Sequence, residues 1–198
     1  DVFSEMLAPT MTLYQSYDRD QARALTAEDD ILNKALHDIR LFAAELPHHA
    51  MQKSEKRELR ALVDYAIAIE AEGDLLVKRL LPLAEEKSVN GLSFSKAGFA
   101  ELSGLHKRLC QNLQTASSVL VSNDLIGARQ LLEEKTEMAR LERKTRKEHL
   151  KRLSAGVPES FASSDVHIET AYTLKEIHSW IVTVAHPILL REGQLLDS

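Results

Sequence analysis

Cysteine and aromatic residues are scarce in this sequence. Cys110 is the single thiol, and aromatic residues make up 5% of the 198-residue chain. An internal disulfide is therefore excluded, and Cys110, with no second Cys to pair with, indicates a reduced cytosolic environment. Only seven Gly and five Pro occur, while Leu, Ala, Glu and Lys recur throughout. This usage is typical of long helices rather than sheets, and we predict an all-α protein.

Long apolar runs and an excess of positive charge are also missing. The most apolar segment, residues 177–190 (IHSWIVTVAHPILL), is shorter than the ~20 residues that a membrane-spanning helix needs. The net charge is −5, with both signs interspersed, which argues against a nucleic-acid-binding protein. The densest basic run, residues 142–152 (ERKTRKEHLKR), is interpreted as a solvated helix face. A patch that attracts phosphate or lipid headgroups is the alternative.

Motifs for catalysis are absent as well. A diiron oxidase of the ferritin type needs Glu-x-x-His motifs on paired helices, and the one such motif, Glu45 to His48, is broken by Pro47. The sequence has no Gly-rich phosphate loop, nucleophile elbow or paired Cys and His site. We therefore predict a protein that is not an enzyme and has no catalytic or cofactor-binding residue.

Helical periodicity predicts six segments, three before the polar turn at residues 88–93 (SVNGLS) and three after it. Pro9 interrupts the first segment, Pro47 ends the second, and Ser54 is the predicted N-cap of the third. The approximate bounds are 1–17, 18–46, 55–87, 95–121, 124–153 and 162–192.

The chain is similar to itself at an offset of 106 residues. This offset aligns Asp18 with Asp124, and without a gap it also aligns Glu70 with Glu176. Further matches are Ala22 with Ala128, Leu25 with Leu131 and Glu28 with Glu134. A constant offset across two helices predicts two three-helix repeats, residues 1–90 and 91–198, packed as tandem bundles in one elongated six-helix domain.

These features resemble the PhoU family of phosphate-transport regulators. The third helix of each PhoU repeat carries Glu, two residues, Gly and Asp, and Glu70, Gly73 and Asp74 match that pattern. The run of residues 149–189, above all 174–189 (LKEIHSWIVTVAHPIL), is similar to one branch of the family, the cytoplasmic tail of bacterial sodium/phosphate cotransporters. The resemblance implies a non-catalytic regulatory domain at the cytoplasmic face of the bacterial inner membrane.

The start of the chain fits this resemblance. The sequence opens on Asp1 without a Met and enters a predicted helix at once, so we expect a soluble fragment of a longer membrane protein. The expected partners are the membrane domain of the same chain or other phosphate-uptake proteins, and a second copy of the chain is a further option; nucleic acid is not expected. A free-standing PhoU-type regulator or metal-binding adaptor is the alternative.

Four side chains of the first repeat form a candidate metal site. Glu70 and Asp74 are one helical turn apart, and so are Asp29 and Asn33 on the preceding helix, so each pair shares a face. Where the two faces meet, their oxygen atoms suit a divalent ion such as iron, zinc, manganese or magnesium. The resemblance implies metal binding at the same positions. The alternative is an acidic stripe paired with nearby cationic side chains or water, and Gly73 would let another helix or a ligand come close.

The second repeat departs from the PhoU pattern. The offset places Lys135, Ala139 and Trp180 at the positions of Asp29, Asn33 and Asp74, and only the glutamate survives, as Glu176. A lysine adds a competing positive charge, and neither Ala nor Trp supplies a strong ligand. We predict that the second repeat has no metal site and that Trp180 fills packing space.

Overall fold

The computed structural model describes residues 2–47, 49–191 and 193 of the chain. Within these ranges every regular element is a helix, which confirms the predicted all-α class. The α-helices are α1 (Val2–Leu7), α2 (Thr10–Gln15), α3 (Arg19–Glu45), α4 (Lys53–Leu75), α5 (Leu81–Val89), α6 (Lys96–Ser122), α7 (Leu125–Ser154), α8 (Pro158–Ala162), α9 (Ser164–Ile181) and α10 (Ala185–Arg191). A π-helical turn, Leu76–Leu80, joins α4 to α5, and a 3₁₀ turn, Val182–Val184, joins α9 to α10.

The helix ends agree with most of the sequence signals. Helices α1 and α2 are separated at Pro9, and α3 ends at Glu45, two residues before Pro47. The predicted N-cap at Ser54 is wrong: α4 begins at Lys53, and its N-cap is Gln52. The cause is Glu55, whose side chain accepts a 2.7 Å hydrogen bond from the Gln52 backbone N–H and so fixes the start of the helix earlier.

Matching N-caps begin α3 and α7. Asp18 accepts hydrogen bonds of 2.9 and 3.0 Å from backbone N–H groups in the first turn of α3, and Asp124 accepts bonds of 3.0 and 3.1 Å in the first turn of α7. These two caps are 106 residues apart. Leu25 and Leu131, related by the same offset, are both buried. The division of the chain into repeats at residues 90 and 91 stays a prediction.

One hydrophobic core unites the helices. Helix α9 packs against α4, α6 and α7, and α3 packs against α4. A polar chain crosses this core, because Thr170 donates to the Tyr14 hydroxyl and that hydroxyl donates to the Leu80 carbonyl, each over 3.0 Å. Leu80 belongs to the π-helical turn, so this turn is anchored from the opposite side of the bundle.

The π-helical turn precedes Pro82. Proline has no backbone N–H, so it cannot donate to the carbonyl of Lys78, four residues earlier. The N–H of Leu81 instead bonds to the carbonyl of Leu76, five residues earlier, which defines the wider turn. As a result α4 and α5 form one continuous rod with a local expansion next to the acidic residues of α4.

No helix in the described ranges combines the length and the apolar character needed to cross a bilayer.

Candidate functional site

Asp29 is the buried member of the predicted acidic set. It lies on the face of α3 that meets α4 and is 5% exposed. Asn33, one turn later, donates its amide N–H to both the Asp29 carbonyl oxygen, at 3.1 Å, and Asp29 Oδ2, at 3.0 Å. The other carboxylate oxygen, Oδ1, is buried without a hydrogen-bond partner. Burial raises the pKa of Asp29, and the negative charge of Asp74 raises it further.

Gly73 allows α3 and α4 to come this close. A Cβ atom at this position would collide with Asp29 Oδ1 and would lie 2.9 Å from Leu32 Cδ1. The sequence-based prediction that Gly73 permits close approach of another helix is therefore confirmed, and the element that approaches is α3.

Lys78 supplies a cation to the acidic set. Its ammonium nitrogen lies 2.5 Å from Asp74 Oδ1, one turn earlier on the same rod. The hydrogen bond with Asp74 raises the pKa of Lys78, and the charges of Asp29 and Glu70 raise it further. The structure thus pairs Asn33 with Asp29 and Lys78 with Asp74, and the charges of Asp74 and Glu70 act on Asp29 across the α3–α4 contact.

One feature of this arrangement favours a metal ion, and another opposes it. The unpartnered Asp29 Oδ1 is an oxygen donor that a cation would satisfy. However, the ammonium of Lys78 occupies one carboxylate oxygen of Asp74. Among the described residues, no group of three or more His, Cys, Asp and Glu side chains is placed to hold a metal ion. The side chains as they stand form a carboxylate set balanced by a lysine, and metal binding stays a prediction.

The corresponding region of the second half has a different construction. Glu176 accepts a 2.6 Å hydrogen bond from Arg79 Nη1, an ion pair between residues 97 positions apart. Trp180 does not fill packing space as predicted, since it is 37% exposed and lines a surface groove. The prediction failed because Trp180 lies off the buried face of α9, which carries Ile177 and Ile181.

This groove lies between α4 and the α9–α10 region. Its volume is about 880 Å³, and its walls include Arg57, Leu62, Tyr65, Trp180, Ile188 and Arg191. A second, smaller cavity shares Tyr65 and Trp180 with the groove and is also lined by Glu72. Glu72 is 2% exposed and its Oε2 atom has no hydrogen-bond partner. Burial raises the pKa of Glu72 well above the usual glutamate range.

A buried polar network in the second half was not predicted from the sequence. Arg108 donates to both carboxylate oxygens of Glu134, at 2.6 and 2.7 Å. The amide nitrogen of Asn112 lies 2.9 Å from Glu134 Oε2 and 2.8 Å from His178 Nε2. An amide nitrogen can only donate, so one N–H of Asn112 bonds to Glu134 and the other to His178. Nε2 of His178 must therefore be unprotonated, because it accepts this bond. The i, i+4 spacing of Arg108 and Asn112 places both on one face of α6 but does not indicate which helix that face meets.

Burial lowers the pKa of His178 to about 4, against the opposing charge of Glu134. Arg108 and Asn112 lower the pKa of Glu134 by hydrogen bonding to its carboxylate. The network therefore contains an ionised Glu134 beside a neutral His178, and it ties α6, α7 and α9 together.

Two further histidines stack inside the second half. The rings of His149 and His167 are 4.5 Å apart between centroids and inclined by 12°. His149 Nε2 lies 2.9 Å from Ser164 Oγ, and His167 Nε2 lies 3.3 Å from the Gly98 carbonyl oxygen. Burial, and after it the neighbouring His149, lowers the pKa of His167 to about 4. These contacts fit packing roles, and we assign no ligand role to either ring.

Comparison with solved structures identifies the fold. PhoU from Pseudomonas aeruginosa has a TM-score of 0.79 at 16% identity, over 97% of this chain and 91% of that protein. The phosphate transport system regulatory protein PhoU from Streptococcus pneumoniae has a TM-score of 0.77 at 15% identity, over 100% of this chain and 95% of that protein. No protein-family model and no curated protein matches the sequence. The chain therefore has the PhoU fold.

Proposed function

We propose that this chain is a non-catalytic regulatory domain that controls inorganic phosphate transport by binding to other proteins. The observation that supports this role is the fold, which matches two PhoU proteins over 97% and 100% of the chain. The motif formed by Glu70, Gly73 and Asp74 supports it independently, because its glycine lies where α3 and α4 make their close contact. Long helices with exposed faces suit such a role, since they present rigid surfaces to a partner.

The finer form of the proposal attaches the domain to a sodium-dependent phosphate transporter. Its support is the similarity of residues 174–189 to the cytoplasmic tails of sodium/phosphate cotransporters. In that arrangement the helices dock on the membrane domain of the same chain, at the cytoplasmic face of the bacterial inner membrane, and adjust phosphate flux.

A free-standing PhoU-type regulator is the second candidate. It is favoured by the extent of the structural match, which covers 91% and 95% of the two PhoU proteins. The sequence upstream of Asp1 in the gene distinguishes the two forms. Several apolar spans of ~20 residues there would support the tail, whereas a start codon directly before Asp1 would contradict it.

Deletion of residues 1–198 from the gene tests the regulatory role common to both forms. We expect altered uptake of labelled phosphate and a weakened response to external phosphate. Supplying the chain in trans should restore the response if docking is non-covalent. Unchanged flux together with an unchanged response would contradict the proposal.

Metal binding by Asp29, Asn33, Glu70 and Asp74 is a separate part of the proposal. These oxygen donors would hold a divalent cation only after Lys78 leaves Asp74, because both cations would compete for the same carboxylate. Metal content after purification without chelator is the measurement, with the double variant E70A/D74A as the comparison. Equal metal content in the two proteins would show that the site is wrong.

A further inference from the structure

A basic face runs along the C-terminal half of α7. Arg143, Arg146, Lys147 and Lys151 are exposed, and Leu150, which is 53% exposed, lies among them. At about 100° per residue, the directions of Arg143, Lys147 and Leu150 fall within about 60° of one another around the helix axis. The opposite face of the same turns is buried and consists of Glu142, Thr145 and His149. One side of this segment is thus fixed in the bundle, and the other is a cationic surface with an apolar centre.

Part of this charge is not neutralised within the protein. Arg146 lies 3.6 Å from Glu142, and Lys151 lies 2.7 Å from Glu148. In the described part of the chain, Arg143, Lys144 and Lys147 form no ion pair within 4 Å, and the nearby charge that acts on the two lysines is the partly exposed Glu148. We call the exposed residues Arg143, Lys144, Arg146, Lys147, Leu150 and Lys151 the α7 basic face. It stands out because the whole chain has a net charge of −5.

An exposed aromatic residue lies beyond the end of this face. The chain turns after Ser154, and α8 packs against α7. Phe161 on α8 is 76% exposed, a larger exposed fraction than that of Leu150. Exposed apolar side chains beside lysine and arginine are the composition of helices that lie in the plane of a membrane surface.

We propose that the α7 basic face binds the surface of a membrane that contains anionic phospholipids. The cationic groups attract lipid phosphates, and Leu150 and Phe161 enter the boundary between headgroups and acyl chains. This combination favours a bilayer over a nucleic acid, since phosphate contacts with a duplex need the cations but not the two apolar side chains. The contact would hold the domain against the membrane in which phosphate transport takes place. Lipid binding is measured without any transporter, so this inference and the proposed function can fail separately.

Co-sedimentation of the purified chain with vesicles tests the proposal. We expect binding to vesicles of phosphatidylcholine mixed with an equal part of phosphatidylglycerol, and weak binding to phosphatidylcholine alone. The triple variant R143Q/K144Q/K147Q should bind the mixed vesicles about 100-fold more weakly, since each cation near an anionic surface contributes about a fivefold factor. The double variant L150Q/F161Q should bind several-fold more weakly, with the same dependence on salt concentration.

A matched control lies on another helix. The variant K53Q/K56Q/R57Q removes three exposed positive charges from the N-terminal part of α4 and should leave vesicle binding unchanged. All the substituted side chains are at the surface, and unchanged circular dichroism and thermal unfolding will show that the variants fold. Equal binding to the two kinds of vesicle, or equal losses in the α4 and α7 triple variants, would overturn the proposal. So would tighter binding to duplex DNA than to the mixed vesicles, with L150Q/F161Q having no effect on either.

Discussion

The α3–α4 contact and the α6–α7 contact differ in how their carboxylates are paired with cations. In the first, burial and the negative charge of Asp74 raise the pKa of Asp29, and one lysine, Lys78, pairs with Asp74. In the second, Glu134 accepts two hydrogen bonds from Arg108. The first contact thus contains carboxylates whose charge is incompletely paired, whereas the second contains a fixed bidentate ion pair, and this difference shows that similar helix packing can carry either arrangement.

Glu72 and His178 are two buried titratable side chains of the core whose pKa values are shifted in opposite directions. They are 106 residues apart, which is the offset that relates the two N-caps. Both are buried, at 2% and 1% exposure. The pKa of Glu72 is raised and that of His178 is lowered, in each case mainly by burial. Burial therefore favours the neutral form of both groups, and a fall in pH affects the stability contributed by each in opposite directions.

The largest expected effect is on stability in mild acid. The folded pKa of His167 and of His178 is about 4, below the ordinary value of 6.5, so the unfolded chain binds more protons between these limits. Stability contributed by the neutral rings is present above pH 6.5 and is lost as pH falls toward 4. Between pH 7.5 and pH 4.5 the two histidines should together cost roughly 5 kcal/mol. Urea unfolding of the wild type and of H167Q/H178Q at both pH values measures this difference.

At Glu72 the pH dependence of stability should have the opposite sign. Because its pKa is raised, the folded state binds more protons at this group than the unfolded state does. The buried carboxyl therefore lowers the free energy of unfolding at high pH, and this loss disappears as pH falls. We expect E72Q to be more stable than the wild type at pH 8 and to lose that advantage by pH 4. An advantage that grows as pH falls would contradict the comparison between the two halves.

Gly73→Leu should have the next largest effect. Its side chain would displace Asp29 and Leu32 at the α3–α4 contact, and overpacking of this kind costs about 2 kcal/mol. Gly104→Leu is the matched control, because Gly104 is an exposed glycine of α6 with no atom near the position of a Cβ. That control should gain about 0.5 to 1 kcal/mol from helix propensity. Equal effects of the two substitutions on urea unfolding would refute the close approach at Gly73.

Substitution of the matched glutamates Glu28 and Glu134 should have a smaller effect. Glu134→Gln weakens a bidentate pair with Arg108 and should cost about 1 to 2 kcal/mol. Glu28→Gln, at the matching position in α3, should change stability by less than about 0.5 kcal/mol, because Glu28 Oε2 has no hydrogen-bond partner. Thermal unfolding at pH 7 compares them, and a larger loss for Glu28→Gln would reverse the assignment of the fixed network to the second half.

Lys78→Met should have the smallest effect on stability and a specific effect on ligands. The substitution removes the cation beside Asp74 and leaves the α3–α4 carboxylates without it. We expect affinity for manganese to rise by roughly tenfold, since one like charge no longer opposes the metal ion. Titration calorimetry measures this change, and the triple variant D74A/E70A/K78M should show no gain. An unchanged affinity in Lys78→Met would mean that the lysine does not compete for the site.

Helix positions followed from the sequence because prolines and caps act locally. Pro9 and Pro47 marked helix ends through their missing N–H groups, and the segments predicted to start at residues 18 and 124 begin where the Asp18 and Asp124 side chains cap α3 and α7. The i, i+4 spacing also placed Asp29 with Asn33, and Glu70 with Asp74, on a shared helix face, while their role as a metal site stays a prediction.

Contacts between segments that are distant along the chain could not be predicted from the sequence. The pairing of Arg79 with Glu176 and that of Arg108 with Glu134 depend on which faces of separate helices meet, and spacing along one helix carries no information about this. The exposure of Trp180 was mispredicted for the same reason, because a large aromatic side chain in an apolar segment is ordinarily buried.

The π-helical turn before Pro82 also sets the direction in which the α4 carboxylates point. Such a turn accommodates one residue more than an α-helical turn while the flanking helix continues, and here it lies between the acidic residues of α4 and Pro82. Removing one residue from 76–80 should restore an ordinary α-helical turn and rotate the carboxylates of α4 by about 100° relative to α5.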